Sequence, residues 1–244
     1  MHRPASAIVI GVGPERGLGA TLARCFARHG LHVFIAGRSE DRLQAVATQI
    51  QQAGGTATPV VADATVEQDV SQLFEVVRAR GDVIEVAAYN VDSNIPVPFL
   101  ETGVDTFTAL WQQNCLGAFL FAQQVISIMQ AQQQGTLFFT GATGSLRAKP
   151  PFTAFASAKA GLRALAQGLA REFSPQGVHV VHTIIDGVID GERARSQFPE
   201  YVKAKGKDGL LQLEAIAQTY WAIHQQHPSA WTHELDLRPH KEPF

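Results

Sequence analysis

Residues 155 to 159 read Phe-Ala-Ser-Ala-Lys, inside the long apolar run "PPFTAFASAKAGLRALAQGLARE" (150–172). Positions four apart share a helix face, so Phe155 and Lys159 belong to one surface. A lysine so placed can grip hydroxyl or phosphate oxygens, and a crowded ammonium can itself surrender a proton. A phenyl ring has none to give. A second candidate is "GVGPERGLG" (11–19), where the glycines fit Gly13-x-x-x-Gly17-x-Gly19 and not G-x-G-x-x-G, because position 16 is Arg. Bare backbone just before a helix N-terminus suits a pyrophosphate; the same glycines could also serve only a tight turn.

The residues that follow the second apolar run bear on which dinucleotide would fit. A carboxylate there binds the ribose diol of NAD, and an arginine suits a 2′-phosphate. The chain reads Ala36-Gly37-Arg38 with no acid in reach, and Arg16 in the glycine loop could clamp the same phosphate. NADP(H) is favoured over NAD(H); the other reading is that Arg38 begins a solvated helix.

These groups need a scaffold, and the pattern supplies one. Apolar β-rich runs at 6–12, 32–37, 56–63, 82–90, 135–141, 178–185 and 233–239 alternate with helical patterns at 18–30, 39–55, 65–81, 104–133, 151–173 and 211–226. Ser39 stands where an N-cap is wanted. Nearly continuous apolar strands alternating with helices predict an α/β fold: a single-domain doubly wound Rossmann fold, with a parallel sheet of about seven strands and helices on both faces. No linker or repeat divides residues 1–244, and the weakly patterned 186–209 is the segment left to cover a substrate.

Composition narrows the function. The 244 residues are 45% hydrophobic with a formal net charge of −2, so no basic field gathers nucleic acid or an anionic membrane. The start lacks a secretory pattern, and no apolar run reaches the roughly 18 residues of a membrane span. A cytoplasmic protein with a small-molecule substrate is expected. Cys25 and Cys115 sit in apolar helical patterns as free thiols. His224, His227, His233 and His240 have no metal-ligand spacing, so no metal is expected, while His179 and His182 fall in the sixth strand as core or edge residues.

Taken together, these residues resemble the short-chain dehydrogenase/reductase family over nearly the whole chain. The resemblance assigns Gly13, Arg16, Gly17, Leu18 and Gly19 to the coenzyme, with Arg38 at the 2′-phosphate, Asp63 at the adenine, and Asn90, Lys159, Gly187 and Ile189 at the nicotinamide end. The Asn-Ala-Gly element survives only as Asn90-Val91-Asp92, the Tyr-x-x-x-Lys element as Phe155-x-x-x-Lys159, and the Pro-Gly after the sixth strand as Asp186-Gly187. By resemblance Lys159 binds the nicotinamide ribose, Asn114 holds a water relay, and the chain forms a homodimer or homotetramer through its two long apolar helices.

The departures fall on proton handling. Counting back the family's Ser-to-Tyr interval of about thirteen from Phe155 lands on Ala142. Thr140, Thr143 or Ser145 could replace the serine, Thr143 being the nearest, or each could be a turn residue bonding its own backbone. Lys159 is a candidate replacement acid, with Tyr201 and Asp190 behind it and Tyr89 expected to pack; Phe152, Phe155 and Trp111 are expected to edge an apolar pocket. Two readings remain: an NADP(H)-dependent oxidoreductase with a non-standard proton donor, and an inactive dinucleotide-binding protein.

Overall fold

Strands that are apolar at nearly every position must be covered on both faces, and the computed structural model, which describes residues 4–242, covers them. In chain order the elements are β1 (Ala5–Ile10), α1 (Leu18–Arg28), β2 (His32–Gly37), α2 (Glu40–Gln52), β3 (Thr56–Val61), α3 (Glu67–Arg80) and β4 (Val83–Tyr89). Then come α4 (Val104–Trp111), α5 (Gly117–Gln132), β5 (Thr136–Ala142), α6 (Thr153–Phe173), β6 (His179–Ile185), α7 (Glu192–Gln197), α8 (Pro199–Lys205), α9 (Leu213–His224) and β7 (Glu234–Leu237). All seven strands pair in parallel in the order β3-β2-β1-β4-β5-β6-β7.

Helices α1, α2 and α9 pack their apolar sides on one face through Phe26, Val46 and Ile216. Helices α3, α5 and α6 cover the other through Phe74, Phe121 and Leu162. Pro59, which lacks an N–H, is tolerated because β3 is an edge strand. The chain begins in the middle of the sheet, winds out to β3, and returns to β4 beside β1. Strand order reverses there, and a crevice opens at the carboxyl ends of β1 and β4. Asn90 closes that junction, its backbone N–H bonded to Ile10 O at 2.9 Å.

Three expectations are corrected. The run 104–133 is two helices joined by a π turn, Gln112–Leu116. Ser39 occupies the cap position of α2, but its side chain makes no capping bond. The segment 186–209 holds two short helices, α7 and α8, rather than irregular chain. Among the described residues no helix is long and apolar enough to cross a membrane.

Candidate functional site

The glycine loop leaves the end of β1 with the N–H groups of Gly11 and Val12 both bonded to Ala36 O at 2.9 Å. Gly19 has a packing reason: a methyl group there would stand 2.6 Å from Gly11 O, so only glycine lets α1 approach the loop. At Gly13 a methyl would meet nothing within 4 Å, so the outer side of the loop is clear of protein. With Gly17 as cap, buried Leu18 as the first helical residue, and no acid in the first turn, the α1 N-terminus suits a pyrophosphate.

Further out, Arg38 is 73% exposed, with its guanidinium 4.0 Å from the Asp63 carboxylate. Asp63 in turn accepts the backbone N–H and the hydroxyl of Thr65 at 2.9 and 2.7 Å. Arg16 is drawn elsewhere: its guanidinium lies 3.9 Å from Asp190, and its carbonyl accepts the Glu192 N–H at 2.8 Å. The two arginines thus answer to different carboxylates.

At the other end of the crevice Lys159 is fully buried. Its Nζ donates to Thr140 O at 3.0 Å, pairs with Asp92 Oδ1 at 3.1 Å, and stands 5.8 Å from the Phe155 ring centroid. The Thr140 hydroxyl donates to Asn90 Oδ1 at 3.1 Å, and Asn90 Nδ2 donates to Gly11 O at 3.3 Å. A continuous hydrogen-bonded line therefore runs from the glycine loop through Asn90 and Thr140 to Lys159. Asn114 sits in the π turn, a distortion common at functional sites, and its Nδ2 donates to Leu110 O and Ser93 O at 2.9 and 3.1 Å.

The hydroxyls near Ala142 have separate partners. Thr143 donates to Asp186 at 2.5 Å, and the same carboxylate takes Arg147 at 2.6 Å and Arg238 at 2.5 Å. Burial alone would raise Asp186, but Thr143 and the two arginines outweigh it and hold the group below its ordinary value. Ser145 Oγ lies 3.3 Å from His182 Nε2, and His182 Nδ1 lies 2.9 Å from Glu234 Oε2. Arg163 grips Glu234 with two bonds of 2.7 Å. Burial drives His182 down to about 4 against the pull of Glu234, while Arg163, opposed by burial, brings Glu234 down to about 2.

A stability prediction follows. Unfolded, His182 would take up a proton near 6.5; folded, it stays neutral until about 4. The unfolded chain therefore binds the extra proton between those values, and stability present above pH 6.5 is lost as pH falls toward 4. About 3 kcal/mol is at stake. Thermal melts followed by circular dichroism at pH 7 and 4.5 should show the drop, and His182→Leu should flatten it.

The remaining candidates each have local partners. Tyr89 is buried with its hydroxyl bonded to Gln113 O at 2.6 Å, and burial pushes it well above its usual range. Asp190 is braced by two bonds from Arg195, at 2.6 and 2.8 Å. Tyr201 is 42% exposed on α8, and its ring stacks under Lys205. Trp111 packs on Gly161 of α6, and Phe155 is only 6% exposed. Gly187 takes φ +151° after β6, and Ile189 bridges to Leu211. Sequence reasoning noted Asp92 only as a departure from a motif and missed the line of Arg163, Glu234 and His182. Its one local trace is His182 falling in step with buried Val180 of β6 and Val178 just before it.

Residues 7–201 match the family model described as short chain dehydrogenase. A short-chain dehydrogenase from Rhodopseudomonas palustris is 36% identical with a TM-score of 0.83, over 97% of this chain and 99% of that one. An actinorhodin polyketide ketoreductase solved with NADPH has a TM-score of 0.88 at 18% identity over the full length of both chains, a likeness of fold alone. A very-long-chain 3-oxoacyl-CoA reductase of Coccidioides immitis is 26% identical over 234 residues, 91% of this chain. The chain spans 66% of that relative's length.

Proposed function

Because the chain belongs to the short-chain dehydrogenase family, we propose that it is an oxidoreductase that moves a hydride between NADP(H) and a small carbonyl compound or its alcohol. The observation that carries this reading is the bonded line from Gly11 through Asn90 and Thr140 to buried Lys159, which ties a phosphate-ready loop to a fixed cation. The coenzyme supplies the hydride chemistry; the protein binds, orients and handles the proton. Gly13, Gly17, Leu18 and Gly19 would hold the pyrophosphate, Asp63 the adenine, and Asn90 and Lys159 the nicotinamide ribose, with Gly187 and Ile189 beside the ring. Asn114 keeps its place behind Ser93, where it would order water.

Residues 186–209 are the substrate cover in this reading. In support, Glu192 bonds to the glycine loop, and Arg193 reaches Asn94 O at 3.0 Å across the crevice. A homodimer or homotetramer is proposed as well, consistent with the apolar residues that α4 and α5 leave exposed: Val104, Phe107, Trp111 and Phe119.

The preference for a phosphorylated coenzyme rests on Arg38. Calorimetric titration of wild type and Arg38→Ala with NADPH and NADH tests it. Loss of the charged hydrogen bond is expected to weaken NADPH by about 10- to 100-fold and to leave NADH nearly unchanged. Equal losses would remove the 2′-phosphate role. No heat with either coenzyme in folded wild type would end the oxidoreductase reading.

A further inference from the structure

Three hydroxyls surround the place where the family serine stands, and they end differently. Thr140 gives its proton to an amide oxygen of Asn90, and Thr143 gives its own to Asp186, a carboxylate also held by two arginines. Only Ser145 sits on a basic nitrogen. A carboxylate can only accept, so the proton between His182 and Glu234 belongs to Nδ1. In the neutral ring Nε2 is then a lone pair facing the Ser145 hydroxyl.

The arrangement is built in rather than incidental. Gly141 leaves the volume that the His182 ring occupies, since a methyl there would overlap Nε2 and crowd Ser145 Oγ. The Ser145 oxygen is fixed from below by the Ala142 N–H at 3.2 Å. His182 is fully buried, Glu234 anchors it from β7, and Arg163 anchors Glu234 from α6, one helical turn beyond Lys159. The charged groups that act on His182 are Glu234 on β7 and Lys159 and Arg163 on α6. The turn bearing Ser145 packs against Phe155, where a methyl on Gly144 would stand 3.0 Å from the ring.

We propose that Ser145 and His182, oriented by Glu234, are the proton-transfer pair of this site and stand in for the lost tyrosine. In the alcohol-oxidising direction the substrate O–H proton passes to Ser145 Oγ as the Ser145 O–H bond breaks and a new N–H bond forms at His182 Nε2. The substrate carbon yields its hydride, with the bonding pair, to oxidised nicotinamide coenzyme and becomes a carbonyl carbon. The imidazolium, held by Glu234, sheds one proton to solvent, and the reverse sequence serves reduction. His182 and Glu234 keep the geometry of a base and its orienting acid, applied to an alcohol proton. Glu234 is a positioning residue.

The inference rests on the oxidoreductase reading, and the test separates the two. Coenzyme binding is measured by calorimetry, and oxidation of a panel of small primary and secondary alcohols with NADP⁺ is followed from pH 4 to 9. Wild type, Ser145→Ala, His182→Gln and Glu234→Gln are compared. The expected result is unchanged coenzyme affinity in all four, with kcat reduced about 10²- to 10⁴-fold in Ser145→Ala and His182→Gln. Wild-type kcat should hold down to acidic pH and fall only as His182 protonates near about 4, an acid limb that Ser145→Ala lacks. Long-range nitrogen–proton NMR should find the wild-type ring with Nδ1 protonated and Nε2 bare, a readout independent of turnover. Ser145→Ala, the mildest change, stands if the histidine variant fails to fold. Undiminished kcat in Ser145→Ala, a protonated Nε2, or a wild type that binds NADP⁺ yet oxidises none of the panel overturns the pair. Failure of wild type to bind coenzyme overturns the underlying reading instead.

Discussion

In the Ser145→Ala background, where the proposed proton-transfer pair is broken, Phe155→Tyr is expected to raise the rate of carbonyl reduction with NADPH by about 10²- to 10⁴-fold, the usual contribution of a positioned acid. The ring already has the setting that the change needs. It is buried on α6 beside Lys159, 5.8 Å from Nζ, and Gly144 lies against it without a side chain to displace it. Only an oxygen is added, so the fold should tolerate the variant. The assay is NADPH consumption with a panel of aldehydes, ketones and quinones. Turnover by the variant alone would favour the reading of wild type as a dinucleotide-binding protein without chemistry, the reading that Phe155 itself suggests. In the wild-type background the phenol should add little, because Ser145 and His182 already move the proton there; a large gain would count against that pair.

The second large effect belongs to Lys159→Ala. Lys159 is fully buried, and its removal takes away both the donor to Thr140 O and the counter-charge of Asp92. Coenzyme affinity is expected to fall by about 2 kcal/mol, roughly 30-fold, from loss of a charged hydrogen bond to the coenzyme. Calorimetry with NADPH measures this directly, and thermal melts of the free protein report the accompanying loss of packing. Asp92→Asn in the Lys159→Ala background should restore part of the stability and none of the affinity. Unchanged affinity in Lys159→Ala would remove the lysine from the coenzyme end.

Much of this was readable along the chain, and the reason is local. The doubly wound sheet follows from strands such as "HVFIAG" that are apolar on both faces, and the glycine loop from a spacing confined to residues 11–19. Phe155 and Lys159 are four apart on one helix, so their shared face needs no tertiary knowledge. The His182 assembly is the opposite case. Glu234 lies 52 residues from His182 and 71 from Arg163, and no periodicity links them. A histidine in a core strand reads as a packing residue until the carboxylate beside it is seen. The break in the 104–133 run escaped for a related reason, since the Asn114 side chain that accompanies the π turn bonds across to Ser93, outside the helix.

The ion pair of Lys159 and Asp92 sets how the crevice meets an incoming molecule. A free lysine loses up to about 2 kcal/mol of rotamer entropy when a ligand immobilises it; here folding has already immobilised the side chain. With its charge already balanced, the buried end would, in the proposed function, recognise neutral hydroxyls by direction rather than anions by long-range pull. The long-range pull would fall to Arg38, out in solvent at the opposite end and 4.0 Å from the Asp63 carboxylate. If the proposed function holds, added salt should therefore weaken capture at the rim and leave the inner grip almost untouched.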